Sequence, residues 1–503
     1  MKYTNPVIRG FYPDPSICYA NGYYYVVCSS FQYFPGLPVL KSKNLVDWTQ
    51  VCHCLTRKSQ LDLTEVVASA GLFAPTIRYQ EGRFYVVVTN TSGLGNFYVY
   101  TDDIESGEWS EPIVVNRSGI DPSLLFDGDK TYFMSNGQDD DGVHGISVCE
   151  INIETGEVLT KSKCISQGTG GRYIEAPHLY HIGDYYYLLV AEGGTEYGHM
   201  ECLLRSKDIY GPYESCPNNP ILTNRNLGGY FIQGSGHADI VEDEKGQWWM
   251  VHLAYRQIHR WRPFHHLGRE VYLVPIYWTE DGWLKVGTDG TCRAAYEVED
   301  GSCIAYHEAE YPTYHWKIKK DEVCYVRCPD YDNYRFVSDH QFMLKGTSAT
   351  LNSKGNVTFV GMRQPEFQCI AKAGIDTTTM VRGQEAGISV YMDEGSHYDL
   401  VVRKEVDYCR VSGIAYLSHM PILMKELRTK DTEVILKIEG EAQTYSFFAQ
   451  NEEGNMEQLG SAESKYLSSE VAEGFTGVLL AAYCVANENK ESGFVSFTTY
   501  SNE

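Results

Sequence analysis

The sequence predicts an all-β protein: a five-bladed β-propeller over residues 1–300, a connector at 301–324 and a β-sandwich over 325–503. Three observations carry this. A two-part unit recurs five times in roughly the first 260 residues. The runs between its copies are rich in Val, Tyr and Ile and show little of the 3.6-residue apolar period of a helix. The last third loses the unit but keeps strand-like alternation.

Each copy of the unit pairs a short motif containing Pro or Asp with an aromatic-rich run that follows a turn. The copies begin at Asp14-Pro15-Ser16-Ile17, Ala74-Pro75-Thr76-Ile77, Asp121-Pro122-Ser123-Leu124, Ala176-Pro177-His178-Leu179 and Ala238-Asp239-Ile240-Val241. The runs that follow include Tyr23-Tyr24-Tyr25-Val26-Val27, Tyr185-Tyr186-Tyr187-Leu188-Leu189 and Trp248-Trp249-Met250-Val251. A spacing of about 45 to 65 residues suffices for a four-stranded sheet with loops, the blade of a propeller.

In a propeller the first strand of each blade lines the central channel, so matched repeat positions converge on one axis. Those positions hold Asp14, Ala74, Asp121, Ala176 and Ala238, and one residue earlier Pro13, Phe73, Ile120, Glu175 and His237. Two Asp, one Glu, one His and one Phe should therefore face a shared pocket. A single Asp-Pro is adequately explained as a turn former. Three carboxylates at matched positions suit an enzyme that needs acid and base on opposite sides of a substrate.

A formal charge of −24 argues against nucleic acid and anionic membranes as partners, because both are bound through Lys and Arg. No run approaches a membrane span, and the N-terminal Met1-Lys2-Tyr3-Thr4-Asn5-Pro6 has no apolar stretch of the signal-peptide kind. The 15 Cys are scattered through strand-like runs without zinc-site spacing, which suits free thiols in a reducing compartment. A cytoplasmic location and a neutral small-molecule substrate are expected, and a homo-oligomer is compatible with the chain.

Beyond about residue 325, Gly387-Ile388-Ser389-Val390-Tyr391-Met392, Tyr398-Asp399-Leu400-Val401-Val402 and Glu433-Val434-Ile435-Leu436-Lys437-Ile438 read as antiparallel strands of a sandwich. The acidic loop Gln138-Asp139-Asp140-Asp141-Gly142 reads as a solvated turn.

Across the propeller region the sequence resembles glycoside hydrolase family 43, the β-xylosidases and α-L-arabinofuranosidases, in the branch with a C-terminal β-sandwich. The matching segments run from Phe11-Tyr12-Pro13-Asp14-Pro15-Ser16 through Ser29-Ser30-Phe31-Gln32-Tyr33-Phe34-Pro35-Gly36, Phe73-Ala74-Pro75-Thr76-Ile77-Arg78-Tyr79 and Gly119-Ile120-Asp121-Pro122-Ser123. They continue to Ile174-Glu175-Ala176-Pro177-His178-Leu179 and Leu267-Gly268-Arg269-Glu270.

The resemblance implies hydrolysis with inversion, with Asp14 as general base, Glu175 as general acid and Asp121 tuning and orienting the acid. It implies Phe31, Phe73, His237 and Arg269 around the first sugar, and a lectin-like sandwich that narrows the pocket and can insert Phe475. Phe73 stands where many relatives carry Trp. In some members the residue matching His237 helps hold a calcium ion or water cluster, but no metal is expected to be required here.

The expected reaction is exo-acting removal of terminal β-D-xylose or α-L-arabinofuranose from short oligosaccharides. A fructan- or sucrose-cleaving propeller is the alternative enzyme, but it expects Arg before the second Asp-Pro and Cys after the acid, where this chain has Ile120 and Ala176. A non-catalytic sugar-binding propeller would need no acid and base at all.

Overall fold

The computed structural model describes residues 2–298, 303–304 and 311–500. Five four-stranded antiparallel sheets follow one another along the first part of the chain. Their inner strands are Ser16–Ala20, Thr76–Gln80, Ile120–Asp127, Glu175–Ile182 and Ile232–Glu242. Each is the first half of a repeat unit, hairpinned to the aromatic-rich run that follows it. Adjacent inner strands touch in order around a ring, and the fifth returns to the first. The Val, Tyr and Phe of the second strands fill the clefts between neighbouring sheets, where wide β-formers pack best.

The ring is laced by the hydroxyl two places into the first three motifs. Thr76 Oγ1 donates to Pro122 O at 2.9 Å, and Ser123 Oγ donates to Pro177 O. Ser16 Oγ instead donates at 2.5 Å to Asp239, the residue that replaces proline in the fifth motif. Arg78 closes this layer with Nη1 2.8 Å from Asp239, and Tyr180 OH donates to the same carboxylate. Asp239 has no exposed surface, and burial would raise its carboxyl, but Arg78, His178 and Ser16 together more than reverse this and hold it ionised. The chain start is tied to the fifth sheet: Lys2–Thr4 pairs with Ala295–Glu297, and Asn5 exchanges hydrogen bonds with the Leu273 backbone at 2.9 Å.

The last part forms an eight-stranded and a six-stranded sheet around one apolar core that includes Trp316, Phe342 and Phe447. The three segments read as strands lie in Glu385–Tyr391, His397–Lys404 and Glu433–Gly440. The stretch expected to be a bare connector lies partly outside the described residues, but Tyr314–His315 already pairs in parallel with Cys369 and Ile370. Sandwich structure therefore begins before residue 325, because these two residues supply an edge to that sheet. Among the described residues, helix is confined to three short 3₁₀ turns and Ser469–Ala472.

The two domains share a core. Phe11, Phe31 and Tyr33 pack with Val326, Phe359, Tyr391 and Leu479, and Tyr33–Phe34 pairs with Tyr325–Val326. Beside it lies a buried ion network: Arg256 grips Glu270 of its own sheet at 2.8 and 2.9 Å and reaches Glu366 of the sandwich at 2.8 Å. Replacing Glu366 with Ala leaves Arg256, a side chain 4% exposed, short of one counter-charge. We expect this to lower unfolding free energy by about 3–5 kcal/mol, read from denaturant curves. A loss below about 0.5 kcal/mol would show that the network does not hold the domains together.

Candidate active site

The three carboxylates are aimed by backbone that few residues adopt. Asp14, Asp121 and Ala176 occupy the same repeat position, and all three have positive φ, 55°, 53° and 50°. The proline after each bars the right-handed helical conformation to the residue before it. The pairing of the third and fourth inner strands also breaks register there, between Ile120 and Ser123 and between Glu175 and His178. Such bulges re-aim side chains at the rim of a sheet, and left-handed non-glycine residues concentrate at functional sites. His237 repeats the pattern in the fifth sheet at φ 53°, between the register breaks of Gln233–Ala238.

Asp14, Asp121 and Glu175 line one cavity of about 640 Å³, together with His237, Arg269, Phe31, Phe73 and Phe475. All eight residues singled out from the sequence are thus brought together. Phe475 comes from the sandwich and is 40% exposed, so it is a wall residue and no part of a core. Its ring stacks on Phe31 at 6.0 Å and meets Phe73 edge-on at 6.1 Å. The smaller ring of Phe73, in place of Trp, completes this three-ring cluster through a 5.5 Å contact with Phe31.

Asp14 is not the solvated carboxylate expected of a base, since it is 4% exposed. Burial pushes its carboxyl up, but Arg269, His237 and Ser29 together more than reverse this and hold it below its ordinary value. Arg269 Nη1 lies 2.6 Å from Oδ1, Ser29 Oγ donates to Oδ2 at 2.5 Å, and His237 Nδ1 stands 3.7 Å from Oδ1. Arg269 is therefore both an ion-pair partner and a pocket residue. Its Nη1 also reaches Thr195 Oγ1 at 3.1 Å, and its Nη2 donates to the Phe475 carbonyl at 3.1 Å.

Glu175 is pushed up to about 7, first by burial and then by the negative Asp14, with Arg269 opposing. Asp121, which the resemblance makes the tuner of this acid, is not the main cause of the rise. Asp121 is itself raised well above its usual value by burial, then by Glu175 and Asp14. A second negative charge beside Glu175 is costly, so Asp121 gives up its proton less readily than a free carboxyl. Asp121 Oδ2 also accepts the Ala176 N–H at 3.2 Å, which fixes the peptide next to Glu175. A donor, an ionised acceptor and a group that positions the donor thus converge on one cavity.

Thr195, His199, Tyr255, His265, Glu470, Tyr173 and Tyr197 also line the cavity and were missed in the sequence. Glu470 clasps His265 across the domain boundary, Oε1 to Nδ1 at 2.6 Å, and His265 stacks on Tyr255 at 3.8 Å. Only the Gly193-Gly194 pair before Thr195 signalled a special loop, and nothing in it pointed to the pocket. The acidic loop 138–142 does not reach the cavity. Asp139 caps the N–H groups of Asp141, Val143 and Cys164, and Asp140 pairs with Arg117 at 2.6 Å. Among the described residues no group of three or more His, Cys, Asp or Glu is placed to hold a metal ion.

Known proteins resemble this chain in sequence and fold. Residues 3–284 match the profile of Glycosyl hydrolases family 43, and residues 322–502 match the β-xylosidase C-terminal concanavalin A-like domain. The non-reducing end α-L-arabinofuranosidase of Bacteroides ovatus is 37% identical over 494 residues, 96% of this chain and 92% of that protein. A β-xylosidase of Bacillus subtilis is 41% identical over 305 residues, 57% of each chain. The solved structure of a xylan β-1,4-xylosidase from Bacillus halodurans superposes with a TM-score of 0.87 at 29% identity, covering 99% of both chains. The chain belongs to glycosyl hydrolase family 43 and is a glycosidase built as a propeller joined to a concanavalin A-like sandwich.

Proposed function

We propose that this glycosidase removes terminal β-D-xylose or α-L-arabinofuranose from the ends of short oligosaccharides, with inversion at the anomeric carbon. The observation that carries this is the pairing of opposite charge states in one pocket: Asp14 held low by Arg269, and Glu175 held high by burial. Glu175 donates its proton to the glycosidic oxygen, and Asp14 takes a proton from the water that attacks the anomeric carbon from the other side. Asp121 acts through Glu175, positioning it by holding the adjacent Ala176 N–H. Phe31, Phe73 and Phe475 offer apolar faces to a sugar ring. Walls from both domains admit a chain end more readily than the middle of a polymer. The names of the relatives, arabinofuranosidase and β-xylosidase, agree with a pentose.

The test is release of 4-nitrophenol from 4-nitrophenyl β-D-xyloside and α-L-arabinofuranoside by the folded protein. Turnover of neither would sink the reading, and the ratio of the two kcat/KM values decides the preferred sugar. The 15 free thiols support a reducing, cytoplasmic location, which subcellular fractionation checks.

The charge states set a pH profile. The active form needs Glu175 protonated and Asp14 ionised, so kcat/KM falls as pH rises through about 7. Because Asp14 is held below its ordinary value, activity on the acid side persists until the pH falls below the ordinary carboxylate range. A basic limb above about pH 8.5, or an acid limb above about pH 5.5, would contradict these assignments.

A further inference from the structure

The cavity has an inner and an outer end. Asp14, Arg269 and Phe31 are 2–5% exposed, whereas Tyr173 is 61% and Tyr197 41% exposed at the same pocket. Tyr173 precedes Glu175 by two residues and sits at φ 51°. A bulky side chain in the left-handed region is held there by its surroundings at a cost.

The surroundings are built for it. Glu192, with no exposed surface, accepts the N–H groups of Thr169 and Gly171, each at 2.6 Å, and so shapes the loop leading to Tyr173. Gly193 N donates to Arg172 O at 2.6 Å, and Arg172 pairs with Glu196 of the facing loop. The Arg172 guanidinium lies 5.2 Å from the Tyr173 ring centre. Gly194, at φ 78°, lets the ring lie over its backbone, since a Cβ there would stand 3.2 Å from it. Tyr173 is thus fixed on one side and left open on the other.

We infer that Tyr173, with Tyr197 lining the same cavity, is the platform on which the leaving-group sugar stacks. This rests on the glycosidase reading above. If the terminal sugar fills the inner end, Glu175 protonates the oxygen joining it to the next ring, and that ring must lie outward on the acid's side. The aromatic surface available there is this rim, and a pyranose presents a flat C–H face that an aromatic ring can cover. Tyr173 then selects oligosaccharides over glycosides with small leaving groups.

The experiment compares wild type, Tyr173→Ala and Tyr173→Phe on a disaccharide of the cleaved pentose and on its methyl glycoside, whose leaving group has no ring to stack. The Ala variant should lose about 5- to 10-fold in kcat/KM on the disaccharide, mostly through KM, and stay within about twofold on the methyl glycoside. The Phe variant should match wild type on both. An equal loss on both substrates would assign Tyr173 a structural role, and no loss on the disaccharide would show that nothing stacks there. Loss in the Phe variant would shift the role to the hydroxyl; each of these three overturns the platform alone. Wild type inert toward both substrates would bring down the glycosidase reading and this inference with it.

Discussion

Glu175→Gln should lower kcat by about 100- to 10,000-fold on substrates whose leaving group is a sugar hydroxyl, and far less on 2,4-dinitrophenyl glycosides. Glutamine keeps the shape and the two-atom head of the side chain but carries no acidic proton. A sugar hydroxyl needs that proton as it departs, whereas a dinitrophenolate is stable enough to leave without it. The same variant should lose the basic limb of the pH profile, because the group pushed up to about 7 is gone. Steady-state kinetics on the two leaving groups, across pH 5 to 9, check both expectations. An equal loss on both substrates would mean that Glu175 is not the proton donor.

Asp14→Asn should show two effects from one atom change. The base is lost, so kcat falls by about 100- to 10,000-fold for all leaving groups alike, because water still has to be deprotonated. The Arg269 guanidinium, 2.6 Å from Asp14 Oδ1 and 5% exposed, also loses its counter-charge. Breaking a buried pair by neutralising one partner costs about 3–5 kcal/mol, which denaturant unfolding would show as a lower midpoint. Azide can occupy the place of the attacking water and needs no base, so it should restore turnover and yield the glycosyl azide of inverted configuration. A folded Asn variant with wild-type kcat would remove Asp14 from the mechanism, and an azide product of retained configuration would contradict inversion.

Much of this was legible in the chain. The five motifs fell on the five inner strands because strand periodicity and turn residues are local signals, set by neighbours along the sequence. The carboxylates could be found because a repeat maps equal sequence positions onto equal places in the ring. The repeat also carries a hydroxyl two residues into three of the motifs, which laces one inner strand to the next through Thr76 and Ser123. Asp239, which stands where the other four motifs have proline, is the anion that Arg78 and Tyr180 share at the core of the ring.

The sequence by itself determined the all-β class, the number of repeat units and which carboxylates meet. Tertiary structure decided what those carboxylates are worth chemically. Asp14 is ionised because of Arg269, 255 positions away, and its burial could not be read from its neighbours. Phe475 enters the pocket because its N–H is held by Ser69 at 2.8 Å, across 406 residues. Glu470, on the only α-helix described, reaches the same wall through His265. Charge state depends on desolvation and on nearby charges, and both are set by groups that come together only when the ring closes and the sandwich walls its pocket.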